Sequence, residues 1–171
     1  EESAALTVPP CTDARCIYSD GLHAGWRGLT RVDVAFPFGH GLSYAAFEYE
    51  RSRPPPRRVR LPRVSGSDDA VVLALHCTVR NVGSRAGVEV AQLYLSYPSA
   101  AGEPPLVLRG HRKTRPLEPG EEADVVFGLT AEGLSTWQPA GWRGARGGFV
   151  ALVGASSRNA SLSHAFEVEV T

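Results

Sequence analysis

The strongest constraint on the fold is a run, from Val71 to Val79, in which apolar side chains occupy every second position. Side chains alternate between the two faces of a β-strand, so this pattern predicts a strand with one buried face. Comparable segments recur along the chain, separated by Gly- and Pro-rich turns and without convincing helical periodicity. These segments are 88–97, 106–113, 122–129, 147–154 and 164–170. The arrangement predicts an all-β domain, an antiparallel β-sandwich in preference to a closed barrel.

The same alternation predicts which side chains form the core. In segment 88–97, Gln92 and Tyr94 face one side while Leu93 and Leu95 face the other, and burial is expected on at least one side. Cys77 lies within the first run and is interpreted as a small buried apolar residue. The expected core is Val71, Leu73, Leu75, Leu93, Leu95, Val125, Phe127, Val150, Leu152 and Phe166.

Composition bounds the classes of function. The chain has 171 residues, 43% of them hydrophobic, which is enough to bury one core of ordinary domain size. Its 18 basic side chains balance 18 acidic ones, so no nucleic acid or anionic membrane is expected as a partner. No apolar run approaches the roughly 20 residues that span a bilayer, and no signal peptide is recognised. The chain lacks Met and begins at Glu1, so we expect a processed or excised piece of a longer product.

Two parts of different character are predicted. Residues 1–44 are irregular and rich in Gly, Pro and aromatic residues, too aromatic for a disordered tail and unable to build a core alone. We expect this extension to pack on the sandwich, on upstream catalytic domains, or on both. The sandwich is expected over residues 45–171. Within it, 51–66 is expected to be a polar connector, because its Arg- and Pro-rich start is typical of a solvated, polyproline-like linker rather than a nucleic-acid patch.

Two cysteines and one sequon bear on the cellular compartment. Cys11 and Cys16 are closely spaced and are predicted to form a small disulfide loop in an exported protein, the alternative being two free thiols in a cytosolic one. Asn159 begins an Asn-Ala-Ser sequon, which marks a surface loop for N-glycosylation in a secreted protein. Both features favour a secreted or extracytoplasmic location. No second ligand pair follows the cysteines, so zinc is not expected.

No catalytic centre is recognised in the sequence. There is no phosphate-binding loop, nucleophile elbow or metal motif, so no catalytic residue, metal or cofactor is predicted. His40, in a lone Gly-x-Gly, is interpreted as a loop-packing residue. Glycosidic hydrolysis needs two carboxyl groups about 5–10 Å apart, whereas Asp20 and Asp33 lie in irregular chain and are interpreted as surface or loop-shaping groups. The tryptophans are either a sugar-stacking platform or, as we favour, residues packed beneath loops. They are Trp26, Trp137 and Trp142.

The most specific motif is Phe36-Pro-Phe-Gly-His-Gly-Leu-Ser-Tyr44, which precedes the expected strands. The segment Tyr18-Ser-Asp-Gly-Leu-His-Ala-Gly-Trp-Arg27 comes before it. Further segments follow in order at 81–95, 108–113, 117–121 and 148–157. Together they resemble the C-terminal region of glycoside hydrolase family 3 enzymes, such as β-glucosidases and β-xylosidases, over about residues 17–171. The resemblance implies an immunoglobulin-like, fibronectin type III-like sandwich from about residue 45, in agreement with the strand pattern.

The sequence departs from the family's usual pattern at three positions. Asp20 stands where the family usually has Glu, and Trp26 stands where Tyr is common. His111 occupies a position that is often Phe. These changes leave the fold prediction intact.

The resemblance also implies which parts of an enzyme this chain lacks. In the family, the nucleophilic Asp lies in an N-terminal (β/α)8 barrel and the general acid Glu usually lies in a following α/β sandwich. Neither maps onto a residue here, so the implied partners are those upstream domains, in the same or a companion chain, with saccharide as a further candidate ligand. The residues expected at the domain interface or active-site rim are Tyr18, Asp20, Trp26, Arg27, Phe38 and His40.

Three functions remain open from the sequence, and the first is favoured. It is a non-catalytic C-terminal accessory domain that braces the catalytic domains of a secreted β-glucosidase-like enzyme, which would hydrolyse a terminal β-linked sugar with retention. The second is a stand-alone module that binds carbohydrate or protein. The third is a processed subunit bound to a separate catalytic chain.

Overall fold

The computed structural model describes residues 21–29, 32–62 and 70–171, and in this part of the chain the regular structure consists of strands and short 3-10 turns. The strands are β1 (Phe47–Arg53), β2 (Arg58–Leu61), β3 (Val71–Asn81), β4 (Val90–Ser96), β5 (Val107–Lys113), β6 (Glu122–Thr130), β7 (Ser135–Gln138), β8 (Gly141–Gly144), β9 (Gly147–Ser156) and β10 (Asn159–Val170). Every predicted strand segment overlaps one of them. The sequence pattern does not predict β1, β2, β7 or β8.

Two sheets face each other and enclose the core. One sheet has three strands in the order β1-β3-β6, and the other has five in the order β2-β10-β9-β4-β5. Neighbouring strands are antiparallel except β2, which pairs parallel to β10. A separate two-stranded hairpin is formed by β7 and β8. The prediction of an antiparallel β-sandwich is confirmed.

The core is built from the alternate side chains of the strands, as the period-two pattern predicts. From β3 the inward residues include Leu73, Leu75 and Val79, each almost fully buried. The remaining sandwich core includes Leu93, Leu95, Val125, Phe127, Leu129, Phe149, Ala151, Val153, Phe166 and Val168. Seven of the predicted core residues lie in this set: Leu73, Leu75, Leu93, Leu95, Val125, Phe127 and Phe166.

The predicted burial of Val71, Val150 and Leu152 is wrong. The pairing of β3 with β6 is irregular between Val71 and Leu73, and Val71 is exposed instead of following Leu73 into the core. Val150 and Leu152 are half-buried on the outer face of β9. This strand is apolar on both faces, so its alternation does not indicate which face meets the other sheet.

The predicted connector 51–66 is also corrected in part. The strand β1 continues to Arg53, and β2 occupies Arg58–Leu61. Val59 and Leu61 alternate with exposed arginines and enter the core. This stretch therefore contributes an edge strand to the larger sheet.

Cys77 is buried in β3, which confirms its interpretation as a small apolar core residue. Burial, with a smaller contribution from the charge of Asp124, raises the pKa of its thiol to about 11. A thiol that stays protonated at neutral pH is a poor nucleophile. Cys11 and Cys16 lie outside the described residues, and their disulfide stays a prediction.

Candidate functional site

The described part of the N-terminal extension lies on the outer face of the five-stranded sheet. Trp26 lies in the second of two single-turn 3-10 segments, Gly21–His23 and Gly25–Arg27. It stacks on Phe38, with ring centroids 4.5 Å apart and an interplanar angle of 6°. The same indole meets the ring of Tyr94 edge-on at 5.9 Å. Both geometries are favourable for aromatic pairs. Because Tyr94 belongs to β4 and is fully buried, these aromatic side chains attach the extension to the sandwich.

Gln92 and Tyr94 hold the loop that follows Phe38. The Gln92 Nε2 donates hydrogen bonds to the carbonyl oxygens of Gly39, at 2.9 Å, and Ala155, at 2.7 Å. The Tyr94 hydroxyl donates to Gln92 Oε1 at 2.6 Å. Burial raises the pKa of Tyr94 to about 12, so this hydroxyl keeps its proton and remains a donor at neutral pH.

The turn between β9 and β10 contributes further bonds to the extension. The backbone N–H of Ser157 donates to the carbonyl oxygen of Phe38 at 2.9 Å. The Arg158 guanidinium donates to the carbonyl oxygens of Leu29, at 2.8 Å, and Val32. The extension is therefore anchored to β4 and to the β9–β10 turn through both aromatic packing and backbone hydrogen bonds.

Gly39 is required where the loop meets β4. Its φ is +81°, a region that side chains with a β-carbon rarely adopt. A β-carbon here would also lie 2.0 Å from Gln92 Oε1 and 2.8 Å from the Tyr94 hydroxyl oxygen. The glycine thus allows the loop backbone to approach the Gln92 amide.

Two clefts flank this attachment, and Phe38 lines both. One, of about 170 Å³, lies between Trp26, Phe36 and Arg158. The other, of about 460 Å³, is lined by the loop 39–43 together with side chains that include Glu89 and His111. Among the described residues that line either cleft, Glu89 is the only carboxylate. It accepts a hydrogen bond from the Tyr49 hydroxyl at 2.6 Å. The described part of the chain therefore places no carboxylate pair, as glycosidic hydrolysis needs, in either cleft.

Four of the six residues predicted for the interface or rim lie in the described part of the chain. Trp26 and Phe38 are brought together as described, and Arg27, the neighbour of Trp26 in the sequence, is half-buried. His40 is exposed, with its ring 5.2 Å from that of Phe36. Tyr18 and Asp20 lie outside the described residues.

Four large apolar side chains of the segment 36–44 are exposed; Phe38 is 40% exposed, and the other three are more exposed than that. Phe36 is 69% exposed, and Leu42 and Tyr44 are each 91% exposed. We call these three residues the apolar crest. The guanidinium carbon of Arg85 lies 5.8 Å from the centroid of the Tyr44 ring. Apolar side chains concentrated in one anchored segment are typical of an interaction surface.

The three tryptophans do not form one platform. Trp137 and Trp142 are paired across the β7–β8 hairpin, with centroids 5.4 Å apart and an angle of 80°, whereas Trp26 packs on Phe38. Trp137 is 65% exposed. The interpretation that it packs beneath a loop is wrong, because the two-stranded hairpin is too narrow to bury both indoles.

Among residues 21–29, 32–62 and 70–171, no group of three or more His, Cys, Asp or Glu side chains is placed to hold a metal ion. Asp33 is exposed. Within the same ranges, no helix is long and apolar enough to cross a membrane. Asn159 is exposed at the start of β10, and its glycosylation stays a prediction.

Gln92, Tyr94 and Arg158 are the site residues that sequence reasoning missed. The sequence contained a signal for two of them. Gln92 and Tyr94 alternate with Leu93 and Leu95, so both faces of this strand carry large side chains. A polar residue in such a strand is expected to have a buried hydrogen-bond partner. For Arg158, in a polar turn, no sequence signal points to its carbonyl partners.

A family model for a fibronectin type III-like domain matches residues 89–157. Among curated proteins, the chain is similar to probable β-glucosidase D of Aspergillus niger, with 35% identity over 96% of this chain and 23% of that protein. It is also similar to thermostable β-glucosidase B of Acetivibrio thermocellus, with 34% identity over 95% of this chain and 21% of that protein. The chain thus spans about a fifth of the length of these relatives.

Solved structures give the same result. The β-D-glucoside glucohydrolase of Trichoderma reesei aligns with a TM-score of 0.75 and 32% identity, over 88% of this chain and 23% of that one. The β-glucosidase 3B of Thermotoga neapolitana, solved with α-D-glucose, aligns with a TM-score of 0.73 and 32% identity, over 89% of this chain and 20% of that one. The sandwich is a fibronectin type III-like domain, and the chain resembles the C-terminal region of glycoside hydrolase family 3 β-glucosidases.

Proposed function

We propose that this chain is a non-catalytic C-terminal accessory domain of a secreted β-glucosidase-like glycoside hydrolase, whose catalytic domains lie outside it. The similarity to about a fifth of several β-glucosidases supports this proposal. The described residues that line the two clefts include one carboxylate and no pair, which agrees with it. The parent enzyme would hydrolyse a terminal β-linked sugar with retention, using two carboxyl groups from the upstream domains.

The apolar crest is the observation that carries the proposal. Phe36, Leu42 and Tyr44 are exposed in a segment whose neighbours are anchored on β4. Burying such side chains against a partner would contribute about 25 cal/mol of favourable free energy for each Å² of apolar surface removed from water. A rigid segment also loses little conformational entropy on binding. The fitting partner is an apolar protein surface, which we assign to the upstream catalytic domains.

The chain alone should be inactive, and it should bind the parent protein from which its own residues 17–171 have been removed. We expect no turnover of an aryl β-glucoside above a buffer control. We expect stable association with the truncated parent by calorimetry. Replacing Phe36 and Tyr44 by Ser should weaken association at least about tenfold, because exposed aromatic anchors carry much of the binding energy at interfaces.

The matched control is Val71→Ser, which removes an exposed apolar side chain from β3 in the other sheet. Its affinity should equal that of the unmodified chain. Hydrolysis by the chain alone would overturn the accessory role. Unchanged binding by the crest variant would show that the apolar crest is not part of the interface. Copurification from the native source with a separate catalytic chain would instead support a processed subunit.

A second candidate function, saccharide binding by the sandwich itself, is favoured by the exposed Trp137. Its indole is fixed edge-to-face against Trp142, and an exposed indole can stack on the apolar face of a sugar ring. If this function holds, calorimetry with a β-linked gluco-oligosaccharide should detect binding that Trp137→Ala abolishes. Trp26→Ala, which alters an indole packed on Phe38, is the control and should leave that binding intact. No heat of binding with the unmodified chain would remove this candidate.

A further inference from the structure

We propose that Gln92 is a positioning residue, which fixes the loop 37–43 on the sandwich and thereby sets the placement of the apolar crest. Only the purpose of the crest rests on the proposed function. The attachment itself is a property of this chain.

The Gln92 amide has the donor and acceptor capacity that this position needs. It is buried, and its Nε2 uses two N–H groups on two carbonyl oxygens, those of Gly39 and Ala155. Its Oε1 accepts from the Tyr94 hydroxyl. Only an amide combines two donors with an acceptor and no net charge. A carboxylate of the same size would face two carbonyl oxygens without a proton to donate.

The bond to Gly39 joins two parts of the chain that are 53 residues apart. The loop presents its carbonyl oxygens to the sandwich at two successive residues: Phe38 accepts from the Ser157 N–H and Gly39 accepts from Gln92. Within the loop, the His40 N–H donates to the carbonyl oxygen of Pro37 at 3.0 Å. If the two N–H donors of Gln92 are removed, the turn between Phe36 and Leu42 should therefore become more mobile.

Hydrogen exchange of the isolated chain tests this role. In Gln92→Glu, we expect the hydrogen-bonded amides of His40, in segment 37–43, and of Ser157 to exchange roughly tenfold faster or more. This is the expected effect of leaving buried carbonyl groups without their donor. Amides in β3 and β6 should keep their protection, because they belong to the other sheet. Tyr94→Phe should give a smaller acceleration in the same segment, since the ring packing against Trp26 is retained. The Tyr94→Phe variant also tests the positioning role of Gln92 if Gln92→Glu does not fold.

The acceleration in Gln92→Glu should shrink as the pH is lowered, because a buried carboxyl takes up a proton early and then becomes a donor. His40, Glu89 and His111 line the adjacent cleft and Tyr94 contacts the amide. Each rate is therefore compared with that of the unmodified chain at the same pH. A purely structural loss of packing would show no such recovery.

The matched control is Tyr97→Phe. It removes another buried hydroxyl, one that donates to the carbonyl oxygen of Gly133 at 2.5 Å, away from the loop. We expect it to leave exchange in segment 37–43 unchanged. Unaltered exchange in both loop variants, or equal acceleration by Tyr97→Phe, would overturn the positioning role. Because no upstream domain is present in this experiment, the proposed accessory function would stand or fall separately.

Discussion

Replacing Asn81 by Asp should lower the free energy of unfolding by about 3–5 kcal/mol at neutral pH, the usual cost of an uncompensated buried charge. Asn81 ends β3 and is fully buried. Its Nδ2 donates to the carbonyl oxygens of Arg85 and Leu117, both at 2.8 Å, and its Oδ1 accepts from the Gly83 N–H at 2.9 Å. The introduced carboxylate would keep the Gly83 bond but would face two carbonyl oxygens.

The pH dependence of this variant has a definite sign. Burial beside two carbonyl oxygens raises the pKa of the introduced carboxyl in the folded state above its unfolded value of about 3.9. Between these two pKa values the folded chain holds more protons than the unfolded chain, so stability falls as the pH rises. The penalty should be smallest below the unfolded pKa and complete above the folded one.

Urea denaturation at neutral pH and at about pH 4 measures this effect. The control is Asn159→Asp, which makes the same charge change at an exposed position and should alter stability by less than about 0.5 kcal/mol. Equal unfolding free energies for the two variants would show that the Asn81 side chain does not hold the turn after β3.

Replacing Phe149 by Ala should cost about 3–5 kcal/mol of unfolding free energy, as expected for a large aromatic deleted from a core. Phe149 is fully buried in β9. Its ring lies 5.5 Å from that of Phe166 and 5.0 Å from that of Tyr97. Removing it would leave a cavity between the sheets that neighbouring strands can fill only partly.

The adjacent residue supplies the control. Val150 is half-buried on the outer face of β9, so Val150→Ala should cost at most about 1.5 kcal/mol, the value of two partly buried methyl groups. Chemical denaturation should show this difference with similar dependence on denaturant for both variants. A larger loss for Val150→Ala would mean that the opposite face of β9 meets the core.

The all-β class and most of the core could be predicted because the strands repeat with period two. In β3, Leu73, Leu75 and Cys77 alternate with less buried side chains, so one face is clearly inward. The candidate site was predictable only in part. Trp26 and Phe38 were identified through the resemblance of their segments, whereas the strand pattern gave no role to Gln92.

The run from Val71 to Val79 by itself determined that this chain folds as sheets, since local alternation of side chains is a property of sequence alone. Tertiary structure decided which face of β9 is inside, because that strand is apolar on both faces and only its neighbours in the sheet distinguish them. It also decided that Gln92 bonds to Gly39, a contact across 53 residues. Such contacts depend on how the sheets and the extension pack, and no local pattern records them.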